Sequence, residues 1–314
     1  MKLTQIADFK PGRSIQGFYL CKEKHLRHTK NGDIYLDLFL SDSTGTVPGK
    51  IWDLAEQYQG RFDSGDPVAV KAKVSEYNDQ LQLTINQINL STEKQYGKYG
   101  FSPNLLIQTI DEPIEKLWSD LNAVIEFLDK PFKKLLNAIF KKYRTIIQTI
   151  PASINHHHPV RGGFLKHLAT TGILAVEAVK HYPELNKDLV LSGILLHDIG
   201  KVRSSNDSID PGHTDEGKLV GHIVLGRDIL LEGAAEIKNF PSEILLKLEH
   251  IILSHQGSPS KMSVLKPKFP EALLVHYIDE MDGRLNLMLE TMQNDPNNEW
   301  TDRHNQFKSE LYKK

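Results

Sequence analysis

Residues 189–201 read Leu189-Val190-Leu191-Ser192-Gly193-Ile194-Leu195-Leu196-His197-Asp198-Ile199-Gly200-Lys201. Eight residues, apolar but for Ser192 and Gly193, run straight into an imidazole and a carboxylate. Such a run is too short to span a bilayer and reads as a helix buried within a protein core. Side chains adjacent on a helix diverge by about 100°, so His197 and Asp198 reach one point only if the last turn loosens before Gly200. An unpartnered buried carboxylate is costly, and one that bridges two cations through its two oxygens is not unpartnered. Taken alone, the dipeptide has an ordinary reading: a helix C-terminus capped by Gly200, with Lys201 complementing the dipole.

It does not stand alone. Eleven of the 14 histidines lie between residues 156 and 276, and imidazole is the commonest transition-metal ligand. Upstream, Gly162-Gly163-Phe164-Leu165-Lys166-His167 opens a helix with His167 at the edge of its apolar stripe. Downstream, Gly221-His222-Ile223-Val224-Leu225-Gly226 places a histidine among apolar residues. The apolar helix 243–254 carries His250 and ends at His255-Gln256-Gly257. Asp279 and Asp282 sit in the amphipathic helix 271–289. Five helical segments thus deliver His or Asp near an apolar face, in the order H, HD, H, H, D. A donor set of imidazole and carboxylate suits Mn, Fe, Co or Zn better than Ca.

Working toward the N-terminus, residues 14–90 alternate as strands do. Ile34, Leu36, Leu38 and Leu40 interleave with Tyr35, Asp37 and Phe39, and Val68, Val70, Ala72 and Val74 interleave with Ala69, Lys71 and Lys73. Leu81, Leu83 and Ile85 make another strand after the turn Tyr77-Asn78-Asp79-Gln80. Asn31-Gly32 marks a hairpin, Ser41–Gly45 the next turn, and 54–58 a short helix between strands three and four. Five strands with a helix in that gap is the layout of an OB-fold. The expected fold is therefore multidomain: an all-β OB barrel over 1–92, a polar Gly- and Tyr-rich linker over 93–110, and an all-α domain over 111–314 with its metal-site core at 155–290.

The barrel has 11 basic and 11 acidic residues over 1–92, and the chain a net charge of −2, so nucleic acid would have to be held by local patches rather than a global field. Lys22, Lys24, Arg27 and Lys30 cluster in the first hairpin, the loop that OB-folds use for oligonucleotides. Tyr35 and Phe39 lie opposite the aliphatic stripe and Trp52 follows in the next strand. Cations beside stacking aromatics bind single strands without reading sequence; solvated charges, and aromatics packed on the second domain, are the plainer alternative. A single cysteine, Cys21, excludes an intrachain disulfide and a thiolate metal site. With no signal peptide in 1–13, the expectation is a soluble cytoplasmic protein without membrane contact.

The ordered ligand series resembles the HD phosphohydrolase superfamily in its two-metal branch. With the N-terminal OB-fold, the GG-F-L-x-H entry, HDIGK, GHIxxG and I-L-S-H-x-G, residues 3–289 resemble the YhaM-type 3′→5′ exoribonucleases. The resemblance implies a metal-dependent phosphodiesterase trimming single-stranded RNA, and in some cases single-stranded DNA, with Mn²⁺ (or Co²⁺, Fe²⁺ or Zn²⁺) at two sites, and makes a homo-oligomer an expectation. It also implies a first ion held by His167, His197, Asp198 and Asp279, and a second sharing Asp198 with His222 and His255. Asp198 and Lys201 would then be catalytic, Lys201 facing a phosphate oxygen or simply closing a helix dipole. Arg161 and His158 fall at the pocket mouth, with Arg161 a candidate phosphate contact; His156-His157-His158 reads as an exposed loop and His250 as packing. Family members carry two histidines where this chain has His255-Gln256, so the second site is intact only if the first of the pair is the ligand. Two other readings stand beside this one: an HD phosphohydrolase acting on free nucleotides, and a nucleic-acid-binding adaptor with a degenerate HD site.

Overall fold

The alternating segments form five strands: β1 (Ser14–His28), β2 (Ile34–Asp42), β3 (Gly45–Ile51), β4 (Pro67–Tyr77) and β5 (Gln80–Leu90). The computed structural model describes residues 3–29, 31–77, 80–153, 157–209, 211–258 and 263–314; Lys30, His156 and the turn at Asn78-Asp79 lie outside them. Strand order is β1-β2-β3-β5-β4, and pairing of β1 with β4 closes the barrel. Helix α1 (Ala55–Gln59) lies between β3 and β4, which is the OB-fold expected. Leu36, Leu38 and Leu40 are fully buried with Val68, Val70, Val74 and Leu83. A one-residue slip would turn this stripe to water; at about 1.5–3 kcal/mol per buried aliphatic side chain, the register is firmly set.

The 93–110 stretch is not a free linker. It contains α2 (Glu93–Tyr96) and buries Phe101 and Leu106 against Phe18 and Leu20 of β1. Phe18 meets Tyr96 edge-on at 5.7 Å and Phe101 at 5.0 Å. The polar composition concealed Phe101 and Leu106, and the compact unit runs to Thr109.

The second unit comprises 110–207 and 211–314. Its helices are α3 (Ile114–Glu126), α4 (Lys130–Ile147), α5 (Gly163–His181), α6 (Lys187–Leu196), α7 (Lys201–Ser204), α8 (Asp215–Leu219), α9 (His222–Ala235), α10 (Ser242–Ser254) and α11 (Pro270–Asn294). Every residue of α6 from Asp188 to Leu196 is buried. A helix apolar all round belongs in the middle of a bundle, and α6 packs against α4, α5, α10 and α11. Its C-terminal end therefore opens into the centre of the unit. At the C-terminus, Trp300 and Tyr312 pair at 4.9 Å and Leu311 is buried. No helix among the described residues is long and apolar enough to cross a membrane.

Candidate metal centre

Helix α6 ends at Leu196, and the chain continues through tight turns. The amides of Ile199, Lys201 and Val202 each donate to the carbonyl three residues back. This is the loosening that adjacent His and Asp require, and it turns both side chains inward. Gly200 is not the left-handed cap expected, since its φ is −63°. Its lack of a side chain serves close approach instead: a Cβ there would lie 1.8 Å from the carbonyl oxygen of His222. The turn thereby touches the start of α9 and brings His222 to Asp198.

Three imidazoles are oriented in the same sense. His197 Nδ1 donates to the Ile194 carbonyl at 2.6 Å, and His255, at the C-terminus of α10, donates to Ile252 at 2.8 Å. His167 on α5 donates to Asp282 Oδ2 at 2.7 Å. A donor fixed at Nδ1 leaves Nε2 as the lone-pair atom, and carboxylate or carbonyl partners of this kind fix metal-binding histidines. His167 Nε2 lies 3.3 Å from His197 Nε2, and both lie 3.4 Å from Asp279 Oδ1. Asp198 Oδ2 is 3.4 Å from His197 Nε2; Asp198 Oδ1 is 3.4 Å from both His222 Nε2 and His255 Nε2. Among the described residues three three-residue clusters result: His167, His197 and Asp279; Asp198, His222 and His255; and His158, His167 and Asp282 beside the first. Asp198 turns one oxygen to each of the first two.

The residues fit a pair of divalent cations. Asp198 Oδ1, His222 Nε2 and His255 Nε2 are buried without a hydrogen-bond partner among the described residues, a costly state for polar atoms. Ligands roughly 2.1 Å from one ion stand about 3.0–3.4 Å apart at octahedral or tetrahedral angles, matching these separations. Charge tells the same story. Burial opposes protonation of His197, yet Asp198 and Asp279 prevail and lift its pKa to about 10. Burial also opposes ionisation of Asp198, but Lys201 and His197 hold it well below the carboxylate range; His197 and His167 do the same for Asp279. Two ionised carboxylates in a dry interior call for positive charge. His222 is driven down to about 4, mainly by burial.

All six ligands expected from the sequence converge, and Lys201 places its ammonium on Asp198 Oδ2. Of the His255-Gln256 pair it is the first residue that reaches the cluster, with Nε2 3.4 Å from Asp198 Oδ1. His250 is packing: its Nε2 accepts from the Lys268 amide, and its ring meets Phe269 at 5.1 Å. Arg161 pairs with Asp207 at 3.8 Å. The roles of three residues were missed. Asp282 orients His167 and also meets His158 Nε2 at 3.0 Å; its signal was the three-residue step from Asp279 along one helix face. His157 and His158 are not an exposed loop. His158 is 5% exposed, and His157 Nε2 is buried.

On the barrel, Tyr35 stacks on Trp52 at 4.7 Å with Lys50 over both rings at 5.5 Å, and Phe39 lies exposed on β2. Lys50 had not been singled out. Lys22 is exposed, and Arg27 pairs with Asp37 at 2.9 Å. Lys24 is taken by the fold. Its ammonium donates to the Gln59 and Phe62 carbonyls and to Asp63, and its side chain is only 11% exposed. The sequence could not show that α1 ends beneath it.

Residues 164–284 match the HD domain model, and 23–90 match the OB-fold nucleic acid binding domain model. The 3′-5′ exoribonuclease YhaM of Oceanobacillus iheyensis is 30% identical over 93% of this chain and 91% of its own length. The chain belongs to the YhaM family. YhaM of Listeria monocytogenes is 29% identical over 95% of this chain and 94% of its own, and YhaM of Shouchella clausii 29% over 88% and 86%. Among solved structures, the second OB-fold domain of replication protein A from Methanococcus maripaludis aligns over 28% of this chain and 94% of its own, at 20% identity and a TM-score of 0.25. The YhaM resemblance spans barrel and HD domain together, with the metal-ligand series inside the HD match.

Proposed function

We propose that the chain is a metal-dependent 3′→5′ exoribonuclease acting on single-stranded RNA, with single-stranded DNA a further substrate. The observation that carries it is Asp198, whose two oxygens face two separate sets of buried donors. Two divalent cations bound there, Mn²⁺ first among the candidates, would supply Lewis acidity at a phosphoryl group and lower the pKa of water toward neutrality. His167, His197 and Asp279 would hold one cation and His222 and His255 the other, with one oxygen of Asp198 turned to each set. Asp282 keeps the His167 lone pair aimed inward. The Lys201 ammonium sits at the rim, where it meets charge that builds on a non-bridging phosphate oxygen.

The barrel supplies strand affinity. Tyr35 and Trp52, bracketed by Lys50 and Arg27, make a platform on which any base stacks. Homo-oligomeric assembly and a cytoplasmic location belong to the same reading; the family likeness supports the first and the lone, buried Cys21 accords with the second. The test uses the full chain, Mn²⁺ and single-stranded RNA labelled at either end. Early release of 3′ label as mononucleotide supports the proposal. An intact oligomer alongside hydrolysed free nucleotides would replace it with a nucleotide phosphohydrolase; strand binding without any turnover would leave an adaptor.

A further inference from the structure

Beside the ligand cluster the helical unit holds a cavity of about 430 Å³. Asp279, Glu280, Gly283 and Leu287, at steps of one, three and four along α11, form one wall; His157 and Gln256 face it. Because Asp279 and His255 also line it, an occupant touches the metal ligands directly. Its size is that of a small-molecule site, right for the end of a strand rather than a length of one.

Its polar groups are fixed in place. Glu280 Oε1 accepts from Arg284 Nε at 2.8 Å, and Oε2 lies 3.3 Å from His276 Nε2. His276 in turn donates Nδ1–H to the carbonyl of the ligand His255 at 2.7 Å. The carboxylate is thus held in place where it lines the cavity. A fixed carboxylate of this kind reads ribose hydroxyls, as the acidic residue of dinucleotide-binding folds does. At the metal end, His158 adopts φ +45°, a conformation costly for a residue with a side chain. It is held there because its amide donates to Asn286 Oδ1 at 2.6 Å and its ring meets Asp282. The turn sets the His157 ring 5.1 Å from that of His167, with Nε2 buried and without a hydrogen-bond partner among the described residues.

We propose that this cavity is the subsite for the 3′-terminal nucleotide, in which Glu280 reads the ribose hydroxyls and His157 meets the phosphate end. The inference rests on the exoribonuclease reading and adds to it a preference for a terminal ribose over deoxyribose.

Two 5′-labelled oligonucleotides, alike except for a 3′-terminal ribose or 2′-deoxyribose, test it with the Mn²⁺-loaded full chain. Wild type should show kcat/KM about tenfold higher for the ribose end, the scale expected for one charge-assisted hydrogen bond in a half-buried site. Glu280→Gln should bring the ratio close to one. Calorimetry with adenosine 5′-monophosphate and its 2′-deoxy counterpart should show the same ratio in binding and the same collapse. Gly283→Leu, which fills the cavity against His157, should raise KM for RNA by about tenfold or more with metal content unchanged. A wild-type ratio near one, a ratio that survives Glu280→Gln, or an unchanged KM in Gly283→Leu overturns the subsite. If RNA is not shortened from its 3′ end, the exoribonuclease reading falls, and the calorimetric ratio alone decides whether the cavity binds a nucleotide.

Discussion

His255 Nε2 lies 3.4 Å from Asp198 Oδ1, and both atoms are buried without a hydrogen-bond partner among the described residues. Two helix ends therefore meet at a single carboxylate oxygen, while the other oxygen of Asp198 faces His197. Asp198→Ala should abolish turnover, a loss on the order of 10³-fold or more as for other indispensable active-site groups. Affinity for a single strand, measured by fluorescence anisotropy, should stay within about threefold because the stacking platform lies on the barrel. Wild-type turnover in this variant would refute the assignment of Asp198.

Asp282 acts through His167 rather than on an ion. Asp282→Asn keeps the volume but weakens the hold on His167 Nδ1, so affinity for the ion on the His167 side should fall by about 10–100-fold. Metal titration followed by mass spectrometry should show this loss while the His222–His255 side fills as in wild type. Equal weakening of both ions would mean that Asp282 supports the whole fold instead.

The metal-free chain should be most stable near pH 6.5. His197 has a folded pKa raised to about 10 from 6.5. Its contribution is full below 6.5 and drains away as pH rises toward 10. His222 and His157 are lowered to about 4 and about 3, chiefly by burial; they stay neutral in the fold and subtract stability as pH falls below 6.5. Mn²⁺ takes over the positive charge that the carboxylates require, so the Tm gain on adding metal should grow from pH 6.5 to 9. Thermal scans across that range would show a flat or shrinking gain if the site held no metal.

On the barrel, two residues should part company. Trp52→Ala should weaken binding of a single strand by about 1–3 kcal/mol, the range for one base–aromatic stack. Lys24→Ala should instead lower the thermal midpoint, since its ammonium satisfies two backbone carbonyls below α1, with little change in strand affinity. Anisotropy and a thermal scan separate the two effects.

The converging set was legible because His197, His222 and His255 sit where an apolar helix starts or stops, junctions visible in the residue pattern, while His167 and Asp279 lie along the apolar faces of α5 and α11. The barrel was legible through its two-residue alternation. What escaped was tertiary. Gly200 looked like a helix cap, whereas its real constraint is the His222 carbonyl, 22 residues away. Lys24 looked solvated because nothing in its own strand announces the carbonyls of Gln59 and Phe62. His158 looked like part of a polar loop because burial of a histidine depends on its partners, here Asp282 and Asn286. The 93–110 stretch hid Phe101 and Leu106 in a composition that reads as tether.

Crystals grown with Mn²⁺ and measured at the manganese absorption edge test the central claim most directly. Two anomalous peaks about 3.5–4 Å apart, one beside His167 and Asp279 and the other beside His222 and His255, with Asp198 between them, are the predicted result. A single peak, or none within reach of Asp198, would contradict it.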